Sequence, residues 1–189
     1  MMLLEEIYTN AKVVKSGRML TTVNEFSDQL PALKPIVLIE IAYQVIKYIN
    51  ISFDKIVTEE DKGAPLATTI SLLTGKPLAM ARWYPYSLNE YNKNVVKISS
   101  EYFDGNIYLN GINKNDRVVI IDDTISTGGT VISLIKAIEN AGGIVERVIC
   151  VVEKSQNNGR INVKEETGHD IISIVKIKID DNKVTIIDN

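Results

Sequence analysis

The chain has 189 residues, 45% of them hydrophobic and 24% charged, which suits one globular domain with a substantial core. A formal net charge of −3 offers none of the basic surface that sequence-independent nucleic-acid binding needs. The one cysteine, Cys150, sits in an apolar run and reads as a buried inert thiol, which excludes a disulfide framework. No apolar span reaches membrane-crossing length, and the start Met-Met-Leu-Leu-Glu-Glu-Ile lacks a basic leader, so a soluble cytoplasmic protein is expected.

Residues 2–12 read as a short helix. Pro31 and Pro35 mark a boundary, after which Ile36, Ile39, Val45, Ile46 and Ile49 recur at helical spacing. A first strand is expected over Phe53–Thr58, a helix over Gly63–Leu73 and a second strand over Pro77–Ala81. Residues 83–100 are polar and aromatic with little periodicity and read as a long exposed loop, which in a compact domain is usually functional. Strands follow at Asn106–Leu109 and Arg117–Ile121. A helix over Val131–Asn140 ends at Ala141-Gly142-Gly143, a C-cap signal. Val145–Val152 is another strand. Ile171–Ile179 and Lys183–Ile187 form a final pair joined by Asp180-Asp181-Asn182. Strands alternating with helices predict an α/β domain with a mainly parallel sheet and helices on both faces.

The chemistry concentrates at residues 118–130, Val-Val-Ile-Ile-Asp-Asp-Thr-Ile-Ser-Thr-Gly-Gly-Thr. Four β-branched residues predict a buried parallel strand, whose C-terminal end is where open α/β sheets bind ligands. The loop from Thr124 through Ile125, Ser126, Thr127, Gly128 and Gly129 to Thr130 supplies hydroxyls and backbone N–H groups at a helix N-terminus, a phosphate site. Asp122 and Asp123 can accept hydrogen bonds from sugar hydroxyls. A phosphate grip beside a diol grip describes a ribose 5-phosphate. Neither the G-x-x-x-x-G-K-[ST] nor the G-x-G-x-x-G phosphate loop occurs.

This segment resembles the phosphoribosyl-diphosphate (PRPP) signature of type I phosphoribosyltransferases. The resemblance implies that family's fold: a mainly parallel five-stranded sheet over about 50–153, a small hood from about 1–35 and 154–189, and a flexible loop over about 83–104. Glu59-Glu60-Asp61-Lys62-Gly63 resembles the loop with which the family cradles pyrophosphate. Asp61, Lys62 and Gly63 are then pyrophosphate-binding candidates, joined by Arg82 at the end of the second strand. The family's second basic residue there is replaced by Trp83, which with Tyr84 and Tyr86 would stack on a purine or pack the loop. Ser99-Ser100-Glu101-Tyr102 resembles the end of the catalytic loop of adenine enzymes, making Glu101 a candidate for the purine proton and Tyr102 for base binding. Glu153-Lys154-Ser155 with Gly159-Arg160 resembles a run in bacterial xanthine enzymes, and makes Glu153 and Lys154 base-binding candidates.

The resemblance implies a purine phosphoribosyltransferase that converts PRPP and a free base to a nucleoside monophosphate and pyrophosphate. It further implies Mg²⁺ carried in mostly by PRPP and touched by Asp122 and Asp123, and a homodimer. Ser126 and Glu101-Tyr102 lean to adenine and Lys154 to a 6-oxopurine; adenine is favoured, with hypoxanthine, guanine or xanthine the alternative. A non-catalytic PRPP-binding regulator is the rival of another class, disfavoured because the residues ahead of the first strand are not basic.

Overall fold

Runs of β-branched residues alternate with helices whose ends are marked by proline and glycine, and from these the chain builds a layered α/β fold. It is seen in a computed structural model that describes residues 3–16, 19–49, 51–91, 94–99 and 104–187. First come α1 (Leu3–Thr9), a hairpin of β1 (Lys12–Ser16) and β2 (Met19–Val23), the single turn α2 (Glu25–Asp28) and α3 (Pro35–Ile46). Next are β3 (Lys55–Glu59), α4 (Ala64–Thr74), β4 (Leu78–Ala81) and an antiparallel pair, β5 (Val95–Ser99) with β6 (Asp104–Tyr108). The chain finishes with β7 (Arg117–Ile125), α5 (Gly129–Asn140), β8 (Ile144–Lys154), α6 (Gly159–Thr167), β9 (Ile171–Asp180) and β10 (Lys183–Ile187).

The central sheet has the order β10-β9-β8-β7-β3-β4. Five strands are parallel, as expected, and β10 pairs antiparallel with β9 at one edge. From β3 the chain steps outward to β4. It then returns to the other flank of β3 as β7 and steps away through β8 and β9. The winding therefore reverses between β3 and β7, and the loops leaving their C-terminal ends open a crevice there. One apolar cluster joins α1, α3 and α4 to one sheet face through Ile41, Leu66, Val119 and Ile121. A second joins α5, β5 and β6 to the other face through Leu134, Ile107, Val118 and Ile120. No helix among the described residues is long and apolar enough to cross a membrane.

The structure differs from the sequence expectations in four places. Residues 83–100 are not one loop: Val95–Ser99 form β5, with Val96 and Ile98 buried in strand alternation. β7 runs through the two aspartates to Ile125 instead of ending at Ile121, because Thr124 and Ile125 pair with Val152 and Glu153 on β8. Residues 159–167 are helical, although only Gly159 and Val163 of that helix are buried and no apolar stripe marks it. The C-terminal strands, expected to belong to a hood, extend the central sheet, and the N-terminal elements pack against them.

Candidate active site

The crevice is a cavity of about 380 Å³ walled by the C-terminal ends of β3, β7 and β8, by residues 122–131 and by the β2–α2 region. Its floor carries three buried carboxylates, Glu59, Asp122 and Asp123. Burial, with Asp123 and Glu59 nearby, pushes the Asp122 carboxyl well above the ordinary range. Burial also raises Asp123, against opposing hydrogen bonds from Ser27 and Thr124; the Thr124 Oγ1–Asp123 Oδ2 distance is 2.9 Å. Glu59 rises to about 7, again chiefly through burial. Three carboxylates placed where water is scarce, with raised proton affinity, are poised for a ligand that brings hydroxyl donors or cationic charge.

The phosphate loop is braced from behind. Gly128 has φ +92°, and a Cβ there would stand 2.9 Å from both the Gly159 carbonyl oxygen and Val163 Cγ2. Glycine is thus required twice over, by the left-handed backbone and by the close approach of α6. Asn157 donates from Nδ2 to Ser126 Oγ at 2.7 Å, and Asn162 donates to the Thr127 carbonyl at 2.9 Å. The Asn157–Arg160 run follows the base-side candidates Glu153 and Lys154 in the chain. Its Asn157 and Gly159 instead pack the phosphate loop, and a long-range contact of that kind has no local sequence signal.

On the other side of the crevice, Gly63 sits at the start of α4. A Cβ on it would overlap Thr58 Oγ1 and stand 2.7 Å from Asp122 Oδ1, so the loop's glycine is needed for space, since its φ of −72° suits any residue. Asp61 and Lys62 line the cavity, and Lys62 Nζ pairs with Asp28 Oδ1 at 2.7 Å. Lys154, buried at the end of β8, lines the cavity and donates to Thr21 Oγ1 at 3.1 Å.

The phosphoribosyl transferase domain family matches residues 28–188. A hypoxanthine/guanine phosphoribosyltransferase of Methanothermococcus okinawensis is 41% identical over 187 residues, 99% of this chain and 100% of that one. The chain belongs to the type I phosphoribosyltransferase family. A namesake of that relative from Methanocaldococcus vulcanius is 42% identical, over 98% of this chain and 100% of that one. Among solved structures, an adenine phosphoribosyltransferase of Thermoanaerobacter pseudethanolicus superposes with a TM-score of 0.75 at 26% identity, covering 92% of this chain and 99% of that one. Another from Trypanosoma brucei, in complex with AMP, pyrophosphate and ribose-5-phosphate, gives 0.71 at 21% identity, covering 92% and 78%, and shows the fold alone. These neighbours place the chain in the purine branch of the family.

Within this phosphoribosyltransferase the expected site residues separate into three groups. Asp61, Lys62, Asp122, Asp123, residues 124–130 and Lys154 come together around one cavity. Arg82 and Glu153 do not line it. The Arg82 guanidinium lies over the rings of Tyr86 and Tyr84, with 4.5 Å and 5.7 Å to their centroids, so those tyrosines pack against the arginine. Glu153 accepts hydrogen bonds from Arg160 Nη2 and Ser173 Oγ, both at 2.7 Å. Burial alone would raise its carboxyl, but those partners outweigh burial and hold it below the ordinary range. Neighbouring strand residues face opposite ways, so with Lys154 toward the cavity Glu153 turns to α6. Glu101 and Tyr102 lie outside the described residues. Sequence reasoning passed over Thr21, Thr22 and Ser27, which reach the cavity from elements bearing no recognisable motif, and Glu59. Cys150 is buried on β8 as expected, and burial, with Asp122 opposite, pushes its thiol up.

Proposed function

We propose that this purine phosphoribosyltransferase acts on 6-oxopurines, hypoxanthine or guanine, and not on adenine as the sequence balance favoured. The observation that carries this reading is Lys154, a buried ammonium presented to the cavity. An ammonium only donates. It matches the carbonyl O6 of a 6-oxopurine and mismatches the 6-amino donor of adenine. The relatives at 41–42% identity, whose names specify hypoxanthine and guanine, support the same choice. The solved adenine enzymes share the fold at 26% identity or less.

In the reaction a bond forms between the purine nitrogen and the anomeric carbon of PRPP, the bond from that carbon to pyrophosphate oxygen breaks, and the N–H proton of the base is released. The N-terminus of α5 with Thr124–Thr130 holds the 5′-phosphate through N–H and hydroxyl groups. Asp122 and Asp123 accept the ribose hydroxyls and place the anomeric carbon between base and leaving group. The loop over Glu60–Gly63 holds the diphosphate. Among the described residues no cluster of three or more His, Cys, Asp or Glu is arranged to hold a metal alone. Asp122 and Asp123 would hold an ion that arrives with PRPP, as Mg²⁺ does generally in this family, and the ion would stabilise charge on the departing pyrophosphate.

The test is Lys154→Met assayed with hypoxanthine and with adenine. Losing a charged hydrogen bond costs about 1.5–3 kcal/mol, about 10- to 150-fold in kcat/KM, for hypoxanthine only. An equal effect on both bases would overturn the assignment of Lys154 to O6.

A further inference from the structure

The loop that opens α4 lines the cavity through Asp61 and Lys62, yet its Asp61, Gly63 and Ala64 amides already have partners. Asp61 N–H donates to Glu59 Oε2 at 2.9 Å, and Gly63 N–H to Glu59 Oε1 at 3.4 Å. Ala64 N–H donates to the Asp61 carbonyl, and Pro65 has no N–H to give. Lys62, the cation of this loop, is paired with Asp28. The same Glu59 Oε2 also accepts the indole N–H of Trp83 at 3.1 Å, while Glu60 Oε1 accepts the Trp83 backbone N–H at 2.8 Å. One buried carboxylate thus ties the loop after β3 to the residue that opens the segment after β4.

We propose that Glu59 is an internal stand-in for the ligand's diphosphate: its carboxylate holds the Asp61 and Gly63 amides and gives them up when PRPP or pyrophosphate enters. An amide N–H makes one good hydrogen bond, so a phosphate oxygen and Glu59 cannot both hold it. When Glu59 swings away, the Trp83 indole loses its acceptor. Occupation of the pyrophosphate loop is thereby transmitted to the start of the segment that follows β4. The inference rests on the reading of the Glu60–Gly63 loop as the diphosphate site, and not on which base is used.

Trp83 is the one tryptophan of the chain and reports the exchange directly. Its indole N–H gives a single proton resonance, to be followed in the full chain during titration with magnesium pyrophosphate and, separately, with PRPP and Mg²⁺. Release from the carboxylate moves that resonance upfield. In Glu59→Gln, which keeps the shape and removes the charge, either ligand binds as tightly as to the wild type or several-fold more tightly, with a smaller displacement of the resonance. A ligand that binds with the indole resonance unmoved, or a Glu59→Gln variant that binds tenfold or more weakly, overturns the proposal and makes Glu59 a fixed brace of the loop. A protein that binds neither ligand overturns the reading of the loop itself, and the proposal falls with it. The wild-type titration decides the matter even if the variant does not fold.

Discussion

Replacing Gly63 by alanine probes the closest approach in the site. The added Cβ would overlap Thr58 Oγ1 and lie 2.7 Å from Asp122 Oδ1, whereas carbon contacts are comfortable at about 3.5–4.0 Å. Both neighbours are buried, so relief requires a shift of about 1 Å in β3 or in the Asp122 carboxylate. Over-packing of this kind costs about 1–3 kcal/mol, or about 2–12 °C in Tm for a chain of this length. Backbone conformation adds nothing, since φ at Gly63 is −72°. A displacement of that size at a positioning carboxylate lowers turnover by about 100-fold. Urea denaturation gives the stability change, and steady-state kinetics with PRPP as the varied substrate gives the functional one. Thr58 Oγ1, which has no hydrogen-bond partner among the described residues, is the nearer obstacle. In a double-mutant cycle with Thr58→Ala the alanine at 63 should therefore cost less than in the wild-type background, with a coupling of about 0.5–3 kcal/mol. Stability within about 0.5 kcal/mol of wild type together with full turnover would refute the close-approach argument.

Three further outcomes are expected. Asp122→Asn with Asp123→Asn abolishes turnover while the protein stays folded, because the amides keep the shape of both buried side chains; circular dichroism and product assay check both halves. Gly128→Val weakens binding of PRPP and of the nucleoside monophosphate together, since φ +92° and the 2.9 Å approach of the Gly159 carbonyl exclude a branched side chain; calorimetry with the monophosphate measures it. Stability of the ligand-free protein falls as pH rises from about 4.5 to about 7. In that window folded Glu59, raised to about 7, keeps a proton that the unfolded chain has released, worth up to about 1.4 kcal/mol per pH unit. Asp122 and Asp123, raised as well, act in the same direction. The carboxyls held low by hydrogen bonds, Glu25 by the Lys34 backbone N–H first and Asp116, Glu146 and Glu153 by Lys55, Arg117 and Arg160 with Ser173, lose stability only below the ordinary carboxylate range. Urea titrations at several pH values should therefore show a shallower slope for Glu59→Gln between pH 5 and 7.

The parts of this fold that were legible are those written in local pattern. The β-branched run before Asp122, the hydroxyl and glycine loop after it and the Pro- and Gly-bounded helices each carry their own signal within a dozen residues. The parts that escaped depend on partners distant in the chain. β5 is held by β6 and by burial of Val96 and Ile98, inside a stretch whose composition reads as loop. The helix α6 owes its place to Gly159 seating against Ser126 and Ile125, not to amphipathic periodicity. Thr21 reaches Lys154 across 133 residues of sequence. The separation of the two base-side candidates has a local sign: Glu153 and Lys154 are adjacent strand residues, and period-two alternation permits only one of them to face the cavity. Arg82 escaped because no pattern announces that Tyr84 and Tyr86 will hold its guanidinium.

The central claim, a phosphoribosyltransferase whose buried Lys154 selects O6, is tested most directly by competition. Hypoxanthine, guanine and adenine are offered together at equal concentration with PRPP and Mg²⁺, and the nucleotides formed are separated and quantified. The account predicts that IMP and GMP dominate and that AMP is a minor product. AMP as the main product would contradict the reading of Lys154 while leaving the family membership intact, and the absence of any nucleotide would contradict the proposed activity.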